Sequence, residues 1–185
     1  GSMFEYLMPM LVMPSYRGTL LDTACRAAVR RQIRYGLRQR VPWGVSESCC
    51  HEFDGGADYR YRAFGVPGLG LARGLAADLV VAPYASALAA ILAPREACAN
   101  LETLERPGAL GPYGFYDAVD YTPHRRKAGQ PQVCRTVMAH HSGMALLALT
   151  RVLLGDVFQR RFLKDPLCRS HDLLLQERVP QAVRP

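Results

Sequence analysis

The stretch TLLDTACRAAVRRQIRYGLRQ, residues 19–39, decides the fold class. Leu20, Leu21, Ala24, Ala27, Ala28, Ile33 and Leu37 recur with the 3.6-residue period of a helix, which predicts one long amphipathic helix with these side chains on its apolar face. Arg26, Arg30, Arg34 and Arg38 follow one another at i, i+4 and form a basic stripe along the same helix. Only Tyr35 interleaves that stripe, and no nucleic-acid motif accompanies it, so it reads as a solvated helix back and no nucleic-acid partner is expected. A patch for an anionic surface and a docking face for another domain are the competing readings.

Outward from this helix, the same periodicity and the placing of prolines predict further helices over residues 4–13, 83–92, 95–105, 133–154, 157–163 and 168–176. Pro9 is expected to kink the first of these or shift its start. Pro83 opens the next, because a first-turn proline gives up an N–H that the helix does not use, and the one after it begins just after Pro94. Residues 41–74 and 107–131 are left as long loops rich in glycine and proline. Strand signals are weak and confined to those loops, as at residues 59–64. The expectation is an all-α chain of antiparallel helix pairs joined alternately by short turns and long loops, the loops being where binding groups tend to sit.

One loop form occurs twice. Pro42-Trp43-Gly44-Val45-Ser46-Glu47 and Pro112-Tyr113-Gly114-Phe115-Tyr116-Asp117 both run proline, aromatic, glycine, two residues, acid. Two copies suggest equivalent loops at one end of a helical toroid.

Composition sets the outer limits. At 185 residues, 49% hydrophobic and 21% charged, the chain can bury one real core and is not disordered. No run approaches the ~18 apolar residues of a membrane span. The six cysteines include no CxxC pair, which argues for reduced thiols and a cytosolic setting. The net charge of +7 comes from arginine, since Lys127 and Lys164 are the only lysines. Gly1-Ser2-Met3 reads either as an expression scar or as native sequence.

Glycoside chemistry needs a carboxylic acid beside the scissile oxygen, usually a second carboxylate, and flat apolar surfaces for sugar faces. The loops supply Glu47, Glu52, Asp54, Asp117 and Asp120 together with Trp43, Tyr61, Phe64, Tyr113, Phe115, Tyr116 and Tyr121. Glu47 stands out: Trp43-Gly44 before it and serines on either side are placed to hold and partly desolvate it, which suits a general acid. Asp117 sits in a similar aromatic frame and reads equally as a sugar-orienting or a turn-stabilising residue. Glu5, in an apolar helix, needs a partner or a cleft to face.

His140-His141 invites a metal reading, but neighbouring helix residues point about 100 degrees apart and no HExxH or CxxC supports it, so no metal is expected. Hydrogen bonding to sugar hydroxyls suits the pair better. The glycine-rich residues 65–74 carry neither a P-loop nor a GxGxxG pattern, and neither Ser46 nor Ser142 lies in a nucleophile elbow.

Met3-Phe4-Glu5-Tyr6-Leu7-Met8-Pro9, Val41-Pro42-Trp43-Gly44-Val45-Ser46-Glu47-Ser48, Phe64-Gly65-Val66-Pro67-Gly68-Leu69-Gly70-Leu71, Ala82-Pro83-Tyr84-Ala85, Tyr113-Gly114-Phe115-Tyr116-Asp117-Ala118, Met138-Ala139-His140-His141 and Leu173-Leu174-Leu175-Gln176-Glu177-Arg178 together resemble the glucoamylase-like domain of bacterial cyclic β-1,2-glucan synthases. The resemblance implies that residues 1–185 are the C-terminal part of an (α/α)6 barrel lacking its N-terminal helices. It implies cyclisation of linear β-1,2-glucan by retaining transglycosylation, with Glu47 as acid/base and the nucleophile upstream of residue 1. Glu5, Trp43, Tyr84, Tyr113, Phe115, Asp117, Tyr121, His140 and His141 are the expected substrate contacts. No cofactor is implied for this domain; UDP-glucose belongs to a glycosyltransferase module of the parent, an inner-membrane protein whose glucoamylase-like domain is expected in the cytoplasm.

The expected partners are β-1,2-glucan and the other modules of the polypeptide, with self-association through exposed barrel helices. An inverting β-1,2-glucanase and a non-catalytic glycan-binding scaffold are the alternatives. The sequence departs from the family pattern at Cys49-Cys50-His51, at Asp117 where glutamate is common, and at Ser142 where glutamine is common.

Overall fold

The computed structural model describes residues 1–70 and 74–178. Leu71, at the end of the Phe64 motif, and Ala72 and Arg73 of the glycine-rich run lie outside the described residues. The long helix, α2, spans Leu20–Gln39. Thr19 caps it by accepting the Asp22 N–H, and Asp22 in turn accepts the Gly18 N–H and pairs with Arg26 at 2.8 Å. The chain leaves α2 through Arg40 in the left-handed region.

The buried face of α2 differs from the expected one. Asp22, Cys25, Ala28, Val29, Gln32 and Gly36 are buried, whereas Leu20, Leu21 and Leu37 are exposed. Hydrogen bonding explains the rotation. Gln32 donates to the Val45 carbonyl at 2.8 Å and accepts the Val45 N–H at 2.9 Å, so this buried amide satisfies a loop backbone that has no ladder partner there.

Before α2, a short α1 (Met3–Leu7) runs into a 3-10 turn (Met8–Leu11) that opens with Pro9 in its first turn. After it come α3 (Pro83–Ala89), α4 (Pro94–Glu105), α5 (Ala139–Leu154), α6 (Val157–Phe162) and α7 (Pro166–Ser170), then a 3-10 turn over Asp172–Gln176. The helices α1, α2, α3 and α5 share one apolar core containing Met3, Leu7, Val29, Trp43, Leu88 and Met144. No helix among the described residues is long and apolar enough to cross a membrane.

The all-α expectation, and the (α/α)6 toroid of helix pairs with it, is corrected by the two long loops. Three antiparallel sheets lie in and beside them: residues 80–81 add a strand after the first loop, and residues 132–134 form a strand where the 133–154 helix is expected to start, that helix beginning instead at Ala139. Strand β1 (Ser48–Phe53) pairs with β2 (Tyr59–Arg62); β3 (Val80–Val81), β6 (Ala118–Asp120) and β7 (Gln132–Cys134) form the second sheet, with β6 in the middle; β4 (Leu110–Gly111) and β5 (Gly114–Phe115) form a small hairpin. β3 and β6 are completely buried. Backbone crossing an interior must pair its N–H and C=O groups, and there the chain does so as sheet rather than helix. A second core, with Val45, Cys49, Phe64, Val80, Val119 and Cys134, surrounds these strands.

Candidate active site

The site lies where the two cores meet. The repeated loop form proves real in backbone terms, although it delivers its acids to strands and not to toroid helices. Gly44 and Gly114 both adopt positive φ, 116° and 108°, which side-chain-bearing residues rarely tolerate. Each loop then enters a strand directly after its acid, β1 after Glu47 and β6 after Asp117. These strands lie side by side in step: Asp117 Oδ2 accepts the Cys49 N–H at 2.7 Å, and Asp120 Oδ2 accepts the His51 N–H at 2.9 Å. Two carboxylates thus replace main-chain acceptors.

The backbone around Glu47 is fixed by a relay of hydroxyls. Phe4 N–H donates to Ser46 Oγ at 3.0 Å, Ser46 Oγ lies 2.8 Å from Tyr84 Oη, and Tyr84 Oη donates to the Glu47 carbonyl at 3.0 Å. Tyr84 has one proton, used on Glu47, so Ser46 is the donor to Tyr84. Ser46 and Ser48 are buried and Glu47 is half-buried between them. Its charge is felt nearby. Burial, and then the charges of Glu47 and Asp117, push the Tyr61 phenol up to about 12. Burial first, with the same two charges contributing, raises the Tyr84 phenol.

Asp117 and the histidines form the second part. Asp117 Oδ1 stands 2.6 Å from His141 Nδ1, and the Asp117 side chain is fully buried. The His141 ring stacks on Tyr84 with centroids 3.7 Å apart and planes 11° from parallel. Tyr61 Oη lies 3.2 Å from both His141 Nε2 and His140 Nε2. Beside this cluster opens a cleft of about 310 Å³, lined by Tyr84, Tyr113, Phe115, Tyr116, Asp117 and His141 and by apolar residues of α5. Glu47 adjoins the cluster without lining that cleft.

The remaining expected contacts divide. Tyr113, at the tip of the β4–β5 hairpin, is 92% exposed and free to meet a sugar face, with Phe115 behind it. Trp43 packs in the helical core: it is 7% exposed, and Asn100 takes both its N–H and its carbonyl. Tyr121 is likewise buried in the sheet core, its phenol pushed up to about 12 by burial. Glu5 lies in the first turn of α1, where its carboxylate accepts the Ser2 N–H at 2.7 Å in an N-terminal capping box. Tyr61 stood among the loop aromatics but not among the expected contacts; its place opposite Cys49 in β2 brings it to the site.

Asp120 belongs to a separate ionic cluster. Arg125 reaches Asp78 at 2.7 Å and Glu52 at 3.4 Å, and its Nε lies 2.8 Å from Asp120 outside hydrogen-bonding alignment, so that last contact is ionic. Arg62 joins Glu52 and Asp78, and Arg60 joins Glu52. Asp54 organises a turn by accepting the Gly56 and Asp58 N–H groups. All six cysteines are free thiols. Among the described residues no group of three or more His, Cys, Asp or Glu side chains is placed to hold a metal ion.

The chain is 46% identical over 184 residues to the cyclic beta-(1,2)-glucan synthase NdvB of Rhizobium meliloti (strain 1021), a match that takes in 99% of this chain and 6% of that protein. Residues 1–166 match the family described as putative glucoamylase. The chain therefore belongs to the putative glucoamylase family.

Proposed function

We propose that this chain forms the acid/base side of a glucan-cyclising site within a cyclic β-1,2-glucan synthase. Glu47 protonates the leaving glycosidic oxygen and then, as carboxylate, activates the acceptor hydroxyl, so that a linear β-1,2-glucan closes on itself with retention. The observation that carries this reading is the setting of Glu47. Its main chain is pinned by Ser46 and Tyr84, and its charge acts on the Tyr61 and Tyr84 phenols, which join the histidine cluster beside an aromatic cleft. Tyr113 and Phe115 supply sugar-stacking surface there.

Asp117 is a poor choice for the nucleophile. Both its oxygens accept short hydrogen bonds, and the side chain has no exposure. The nucleophile is assigned upstream of residue 1, as the resemblance to the glucan synthases implies. The site takes no nucleotide sugar, and UDP-glucose serves the glycosyltransferase module of a membrane-bound parent.

Incubating the complete synthase domain with linear β-1,2-glucan tests the reading. Cyclic products with no net gain of reducing ends are expected. Release of shorter linear glucans alone would replace cyclisation by hydrolysis, and no change in the glucan would overturn the assignment.

A further inference from the structure

We infer that Asp117, His141, Tyr61 and His140 form a directional hydrogen-bond chain that fixes the polarity of the Tyr61 hydroxyl, leaving its oxygen to accept a hydrogen bond from a sugar hydroxyl beside Glu47. The direction follows from proton counting. Asp117 Oδ2 accepts the Cys49 N–H, and Oδ1, 2.6 Å from His141, offers a carboxylate acceptor with no proton of its own. His141 Nδ1 must then carry the hydrogen, and in the neutral ring Nε2 is bare and accepts. Tyr61 Oη, 3.2 Å away, is its donor.

Tyrosine has a single proton, and His141 takes it. The other 3.2 Å contact therefore requires His140 Nε2–H to donate to Tyr61 Oη. The order is His140 to Tyr61 to His141 to Asp117, each donating to the next. A phenol oxygen that has given its proton and received one hydrogen bond keeps an acceptor position and nothing to donate. Stacking on Tyr84 at 3.7 Å holds the His141 ring in the plane this chain needs. Asp117 and His141 are positioning residues; Tyr61 is the group that meets the ligand. The ligand half of the inference rests on the glucan reading above, and the directional half on the geometry together with a carboxylate at Asp117 and a neutral ring at His141.

Imidazole ¹⁵N correlation spectra of the protein read the direction. His141 is expected as the Nδ1–H tautomer and His140 as the Nε2–H tautomer; His141 found as Nε2–H, or as imidazolium at neutral pH, overturns the chain. Asp117→Asn must keep its amide oxygen on the Cys49 N–H, which turns its NH2 toward His141 Nδ1 and moves the His141 proton to Nε2. An unchanged tautomer in that variant overturns the role of Asp117. If Asp117→Asn does not fold, the wild-type tautomers and Tyr61→Phe, which removes one hydroxyl from a residue 41% exposed, carry the test.

Titration with a linear β-1,2-glucooligosaccharide reads the ligand half. Tyr61→Phe is expected to weaken binding roughly tenfold, the size of one hydrogen bond. Equal binding by Tyr61→Phe overturns the sugar contact. The expected tautomers without any glucan binding by the wild type would sink the glucan reading and leave the directional chain intact.

Discussion

Asp117 and Asp120 bracket β6, both are buried, and each accepts a backbone N–H of β1, at Cys49 and His51. Up to that point they do the same job, substituting carboxylate oxygens for the strand partner that β1 lacks on this side. They differ in their further partners. Asp120 Oδ1 accepts the Thr122 N–H at 2.9 Å, and the Oδ2 that takes the His51 N–H also meets Arg125, which holds Asp78 and Glu52, so its charge is cancelled inside a network that does not line the cleft. Asp117 faces a histidine that passes the interaction to Tyr61, a residue 41% exposed and within reach of the Glu47 charge. A buried carboxylate is a functional candidate only when its second partner leads to a surface a ligand can reach.

The largest effect expected from this contrast is structural. Arg125→Ala leaves Asp120 and Asp78 without their shared cation, and breaking a buried pair from one side costs about 3–5 kcal/mol. Denaturant unfolding measures it; a loss below about 1 kcal/mol would put the network with solvent-screened surface pairs and remove the contrast. Asp117→Ala should cost less, about 1–3 kcal/mol, because it orphans the Cys49 N–H and a histidine rather than an arginine. A greater loss at Asp117 than at Arg125 would reverse the assignment of the two acids.

The smallest effect is alkaline. Burial first, then Asp117, push the Cys49 thiol from an ordinary 9.0 up to about 12, and burial pushes the Tyr61 and Tyr121 phenols from 10.0 up to about 12. These raised values favour the protonated native forms. Their stabilisation is complete below about 9, where the unfolded thiol is also protonated, and declines as the pH climbs toward 12. The urea midpoint should hold near pH 8 and fall by pH 11; a rise over that window would contradict the burial of these groups.

Much of the helical half was legible because its signals are local. Thr19 and the proline starts at Pro83 and Pro94 mark boundaries that need no knowledge of the rest of the chain. The face of α2 was misjudged because Gln32 is buried for its bonds to Val45, a reason that hydrophobic periodicity does not contain. The sheets were hidden for a related reason: strands of two or three residues such as β3 and β6 are too short to show alternation. Within the site, Glu47 and Asp117 are picked out by their loop settings and the histidines as an adjacent pair on a helix, but the meeting of Asp117 with His141 and Tyr61 joins distant segments. Trp43 was read as a sugar platform from its neighbours in sequence, and Asn100, far along the chain, is what holds it in the core.

The central claim is that Glu47 is the acid/base, and Glu47→Gln in the complete synthase tests it most directly. The amide keeps the shape and removes the transferable proton, so cyclisation should fall by about 10²–10⁴-fold while the melting temperature stays near wild type. Cyclisation at the wild-type rate in the folded variant would contradict the account.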